Sequence, residues 1–277
     1  MGIWGCSMKI NWVKVFVCTC CVVSLLLTVF LFVSCDDNSK KPTEQPVEPS
    51  PTPGPVEPTP LPGSDGAYKV GDIGPAGGYI FYDCDADNDV LYVDSRGETK
   101  TNEDGLISSE CGWRFLEVAP EYLSYTNSSG TTKTTYLFGY YRTSSAGSNL
   151  TVGTKTAIGT GKANTEALVK AMGETAYTES SGTTKGIYAA KACADYSITK
   201  DGTVYDDWFL PSKDELKLMY VNLYKQGLGS FATTDDYFWS SSEGSNDNAW
   251  LQYFGSGNQD STNRYDNSYV RPVRAFK

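Results

Sequence analysis

The chain has 277 residues, carries a formal net charge of −10 and contains no histidine. Such acidity disfavours general attraction to nucleic-acid phosphate, so a nucleic-acid partner is not expected. The missing imidazole removes the usual neutral-pH base, the Ser-His and Cys-His nucleophile pairs and the commonest metal ligand, so the chain is not expected to be an enzyme.

In chain order the first element is an export leader. Lys9 and Lys14 precede an apolar run from Val15 to Phe32, which closes at Val33-Ser34-Cys35 and passes at once to Asp36-Asp37. The run is long enough to span a membrane. Its small residue followed by Cys instead resembles the bacterial lipobox, which implies acylation of Cys35 and removal of residues 1–34 as a lipoprotein signal peptide. From Lys41 to Gly63, Pro alternates with Thr, Glu, Val and Ser, a composition that cannot bury a core and favours extended polyproline II. Residues 35–66 therefore read as an acylated Cys and a stiff tether several tens of ångströms long, at about 3.1 Å per residue. The expected location is the cell envelope, lipid-anchored, at the outer membrane or cell surface, where disulfides are permitted.

Residues 67–277 read as one α+β domain with short strands, few helices and many loops. The pattern predicts a helix from Thr165 to Met172, ended by Gly173, with Leu168, Ala171 and Met172 inward. A second is predicted from Ile187 to Tyr196, where Ile187, Ala190, Cys193 and Ala194 share a face and Cys193 is a core thiol. The third begins at Ser212, where Ser212-Lys213-Asp214-Glu215 spells a capping box ahead of an apolar stripe through Leu216, Met219, Tyr220 and Leu223. Ser-Ser-Gly-Thr-Thr-Lys occurs at Ser128–Lys133 and again at Ser180–Lys185, and both copies read as exposed turns. Trp208, Trp239 and Trp250 are read as core, and one of Arg271 and Arg274 is expected to pair with an inward acid such as Glu215.

An acidic segment stands early in the domain. Asp83, Asp85, Asp87 and Asp89 alternate as the ligands of a calcium loop do, although Asn88 replaces the expected Gly and Asp94 the closing Glu. A calcium site and a solvated acidic turn are both open, and calcium is the one cofactor the sequence raises. Cys84 and Cys111 flank this insertion; a disulfide between them, contributing roughly 3 kcal/mol by loop closure, is expected ahead of a pairing with Cys193.

The segment Asp206-Asp207-Trp208-Phe209-Leu210-Pro211-Ser212-Lys213-Asp214-Glu215-Leu216 resembles the Trp-x-Leu-Pro-Ser/Thr-x-x-Glu signature of the C-type lectin-like fold in its formylglycine-generating-enzyme branch. Tyr237–Ser242, Ala249–Phe254 and Val270–Phe276 are similar to that branch's later strands, and Gly77–Phe81 and Gly112–Glu117 to its earlier ones. The C-terminal domain of the Legionella collagen-like adhesin and treponemal lipoproteins share this likeness. No cysteine follows Cys193, so the copper-binding pair of the branch's enzyme is missing, as are the Glu-Pro-Asn and Trp-Asn-Asp triplets of calcium-dependent lectins.

Between Gly244 and Ser268 the chain is crowded with Ser, Asn, Asp, Tyr, Gly and Thr. This resembles the variable region of diversity-generating retroelement proteins such as the treponemal variable protein. The resemblance implies a binding face of Ser245, Asp247, Leu251, Tyr253, Ser256, Asp260, Ser261, Thr262, Asn263, Tyr265 and Asn267. Strand alternation predicts Leu251 and Tyr253 exposed on one side and Phe254 in the core. Two function classes stand: a displayed module that binds an external protein or glycan, and a structural envelope lipoprotein with no ligand.

Overall fold

The computed structural model describes residues 68–86, 90–94, 96–101, 104, 112–174, 176–178, 187–231 and 236–277. All belong to the unit Glu57–Lys277. The leader, Cys35, the tether, Asp87, Asp89, Cys111 and the second hexamer copy lie outside the described residues. Among the described residues no helix is long and apolar enough to cross a membrane.

The chain opens with β1 (Tyr79–Asp83), the small hairpin β2 (Tyr92–Val93) and β3 (Thr99–Lys100), and β4 (Phe115–Val118). A second hairpin, β5 (Tyr125–Thr126) and β6 (Thr132–Lys133), leads into β7 (Thr135–Leu137). Helices α1 (Gly161–Met172) and α2 (Ala189–Ala194) precede a third hairpin, β8 (Ile198–Lys200) and β9 (Thr203–Tyr205). Then comes α3 (Lys213–Asn222), and from there the regular structure is mostly strand: β10 (Tyr237–Glu243), β11 (Asn248–Tyr253), β12 (Gln259–Asn263), β13 (Asn267–Tyr269) and β14 (Val273–Phe276). This is the expected mixture of few helices with many short strands.

Two larger sheets carry the fold, one ordered β1-β4-β14 and the other β12-β11-β10-β13-β7. β10 lies at the centre of the larger sheet, and its burial follows from alternation. Phe238 and Trp239 are successive residues and therefore point to opposite faces. Phe238 packs with Leu216, Leu218, Met219 and Phe254, whereas Trp239 packs with Leu168, Met172, Ala190 and Cys193. The sheet thus has a core on each face, α3 on one and α1 with α2 on the other. The three buried serines that follow are all bonded: Ser240 donates to the Trp250 carbonyl (2.7 Å), Ser242 to the Lys155 carbonyl (2.8 Å), and Ser241 accepts from Asn164 (3.1 Å).

The Trp208–Leu216 motif joins these layers. Phe209 exchanges both backbone bonds with Val273 (2.8 and 2.9 Å). Ser212 accepts from the Glu215 amide (3.3 Å) while the Glu215 carboxylate accepts from the Ser212 amide (2.7 Å), which is the predicted capping box. The same carboxylate accepts from Gly159 (2.8 Å) and Gly161 (3.3 Å), so one buried acid fastens the starts of two helices. A Cβ on Gly161 would stand 2.3 Å from that carboxylate, so the close approach requires glycine.

Several expectations are corrected. α1 begins at Gly161 and not Thr165, because the Glu215 carboxylate accepts the amides at its start. α2 is shorter than predicted: Tyr188 is extended, Ala189, Ala190 and Cys193 are buried, and Ile187 and Ala194 are exposed. Glu215 pairs with neither terminal arginine. Arg274 binds Asp207 (2.7 and 3.1 Å) and Glu117 (3.2 Å), and Arg271 donates to the carbonyls of Ala119, Pro120 and Gly229 (2.6–2.7 Å). Trp208 and Trp239 are buried, but Trp250 is only half-buried, with the Lys213 ammonium 4.2 Å above its ring.

Candidate ligand-binding surface

The residues expected to form one binding face lie mostly on the hairpin β11–β12 and its flanking turns. Its register pairs Asn248 with Asn263, Leu251 with Asp260 and Gln252 with Gln259. Ala249, Leu251 and Tyr253 therefore share a side with Asp260 and Thr262, whereas Ser261 and Asn263 share the other with Trp250. The set divides between two sides. Leu251 is not an exposed anchor: it is 4% exposed and packs with Trp239 and Ala249, because that side of β11 faces the core beneath α1 and α2. Phe254 is fully buried, as expected.

The set also separates along the strand. Tyr253 stands at one end with exposed Ser256 nearby in the turn, half-buried and stacked on Tyr237 with centroids 4.6 Å apart. Ser245, Asp247, Asn263 and Tyr265 gather at the other end, about 16 Å away at 3.3 Å per residue. Asp260 is exposed and Ser261 and Thr262 half-buried along the outer strand between them, and exposed Asn267 lies opposite Leu137.

The end that carries Tyr265 is the more firmly built. The Glu243 carboxylate accepts from the amides of Val152 (3.0 Å), Gly153 (3.1 Å) and Thr154 (3.3 Å) and from Arg264 (2.9 Å). Arg264 is wholly buried over the Phe138 ring, and it also donates to the Ser245 carbonyl. Burial pulls its pKa below the usual arginine value, and the Glu243 charge opposes that. Above this frame Tyr140 donates to Asn263, Arg142 to Asn149 (2.5 Å) and Asn149 to Asp247 (2.5 Å). Ser245 and Asp247 are exposed, and Tyr265 is 44% exposed. A phenol, a carboxylate, a guanidinium and an amide are thus held on a stiff support, an arrangement for non-covalent contact.

Sequence reasoning missed Arg142, Asn149, Glu243 and Arg264. The last two carried a signal: a lone acid ends the Tyr-Phe-Trp-Ser-Ser-Ser run and a lone arginine sits among the polar residues of the next hairpin. Nothing in the local pattern marked Arg142 or Asn149, which reach the site from the segment after β7.

At the acidic segment, Arg114 holds Asp83 in two bonds (2.9 and 3.1 Å) and lies 3.5 Å from Asp85. A cation bound at Asp83 would have to displace that guanidinium. Among the described residues no group of three or more His, Cys, Asp or Glu side chains is placed to hold a metal ion. Cys84 is half-buried, and the other end of its expected disulfide, Cys111, lies outside the described residues.

Residues 162–274 match the family model of the Lcl C-terminal domain. The match runs from the start of α1 into β14 and includes Glu243, Ser245, Asp247, Arg264 and Tyr265 but not the segment from Tyr140 to Thr154 that packs against them. No curated protein matches the chain.

Proposed function

We propose that the chain is a lipid-anchored, surface-displayed protein of adhesin-like role, whose domain of residues 67–277 binds an external protein or glycan through the surface around Tyr265. The observation that carries this is the buried Glu243–Arg264 frame beneath exposed Ser245, Asp247 and Tyr265. Burying an ion pair is costly, and this one, with three backbone amides on the same carboxylate, fixes a turn. In that turn Ser245 accepts from the Asp247 and Asn248 amides (3.2 and 3.1 Å), Asp247 accepts from Asn149, and all of Ser245, Asp247 and Tyr265 still face outward. The match to the Lcl C-terminal domain supports the adhesin-like reading, and the leader ending at Cys35 supports display at the cell surface. We assign the domain to the C-type lectin-like fold of the formylglycine-generating-enzyme branch on its motifs. The Ser, Asn, Asp and Tyr of the hairpin are the residue types retroelement diversification yields, and a reverse transcriptase gene beside a near-identical template repeat would establish that origin.

The test is an array of extracellular proteins and glycans probed with the purified full chain. Binding to at least one component is expected, with Tyr265→Ala weakening it about thirtyfold, the usual cost of about 2 kcal/mol for truncating an aromatic anchor. Absence of any binder, or affinity indifferent to both Tyr265→Ala and Asp247→Ala, would overturn the reading.

A further inference from the structure

We propose that the cleft between the head of α3, the hairpin β11–β12 and the hairpin β2–β3 is a second binding site, and that it takes a neutral saccharide. The cleft has a volume of about 530 Å³, within the range of small-ligand pockets, and Tyr92 and Trp250 contribute its aromatic surface. It shares no residue with the Tyr265 surface and does not depend on that assignment.

Asp214 is the central observation. It lines the cleft and is only 4% exposed, yet its carboxylate has no hydrogen-bond donor or ion-pair partner among the described residues. Burial accordingly pushes its pKa up to about 6. Its oxygens open into the cleft and, with no donor on them among the described residues, are free to accept from a ligand there. Asp214 stands one residue before Glu215, whose wholly buried carboxylate is filled by backbone amides, so the contrast is local.

The donor the cleft calls for is not a cation. Both aromatic surfaces already carry the protein's own ammonium groups, Lys213 at 4.2 Å from the Trp250 centroid and Lys217 at 5.8 Å from that of Tyr92. An anion gains little either, since three carboxylates face four cationic side chains around the lining. The unfilled groups are of both kinds. Lys217 is buried and spends one N–H on the Gly257 carbonyl (2.8 Å), leaving two more to donate. Gln259 donates its amide to the Lys213 carbonyl (2.7 Å), which leaves its side-chain oxygen to accept. Interleaved acceptors and donors beside a half-buried indole suit hydroxyl groups, each of which donates and accepts, with the sugar's C–H groups against the part of the indole that lines the cleft and that Lys213 leaves uncovered.

Calorimetric titration of the full chain with glucose, galactose, mannose, N-acetylglucosamine and disaccharides of each tests this, with sulfated and carboxylated counterparts run beside them. At least one neutral sugar is expected to bind in the millimolar range or tighter. Asp214→Asn, which keeps the shape, and Trp250→Phe should each weaken it at least tenfold, and Tyr265→Ala should leave it unchanged. No heat from any neutral sugar, binding by the charged forms alone, or a constant unmoved by Asp214→Asn and Trp250→Phe would overturn the proposal. A loss caused by Tyr265→Ala alone would return the ligand to the other surface.

Discussion

Single buried acids do much of the joining in this domain. Glu117 accepts from the amides of Ala76 (3.0 Å) and Gly78 (2.9 Å) and from Arg274 (3.2 Å), which ties the first turn to the last strand. Burial raises the Glu117 pKa even as those donors oppose it. Burial lowers that of Arg274, yet hydrogen bonds to Asp207 and Glu117 leave it raised overall. Glu117→Ala would leave two buried amides without their acceptor and Arg274 with Asp207 alone, and a loss of about 2–3 kcal/mol in urea unfolding is expected. Asp214 gives the opposite kind of prediction. Its folded pKa of about 6 lies above the ordinary aspartate value of 3.8, so the folded state holds the proton longer than the unfolded chain does. Its contribution is present below about pH 4 and lost as pH rises through 6, on the order of 3 kcal/mol. Melting curves at pH 4 and pH 7 should therefore show the native chain losing ground against Asp214→Asn as pH rises. Equal slopes in the two proteins would contradict it.

Elements show what could be read from the chain and what could not. Trp239→Ala should cost about 3–5 kcal/mol, since the indole is fully buried and its N–H donates to the Tyr136 carbonyl (2.9 Å). Ser212→Ala should cost about 1 kcal/mol through the lost cap of α3. Chemical denaturation checks both, and a smaller loss for Trp239 than for Ser212 would mean the two-sided core is misdescribed. The cap of α3 and the strand run Tyr237–Ser242 were legible because each has a local cause, a capping box and a bulky apolar stretch. The side of Leu251 was not. Alternation says which residues share a side but not which side meets water, and here both sides of the large sheet carry a core. The start of α1 was hidden for a related reason, as its anchor, Glu215, is 54 residues away in the chain. Hairpins such as β2–β3 and β5–β6 are two residues per strand, too short for any period to register.

At the scale of the whole molecule the leader, tether and domain make one proposal: the domain is held out from a membrane to meet something beyond it. If Cys35 carries the lipid, Cys35→Ser should abolish fatty-acid labelling and leave the chain soluble or as an uncleaved precursor, which gel analysis after metabolic labelling reads directly. Persistent labelling would remove the anchor from the account. Contact itself is tested by retention under flow, with cells displaying the full chain passed over the component that the array identifies. Retention should exceed that of cells without the chain and fall at least tenfold in the Tyr265→Ala, Asp247→Ala double variant displayed at equal density. Retention equal in native and double-variant cells, or no greater than in cells lacking the chain, would contradict the central claim that the Tyr265 surface is the adhesive one.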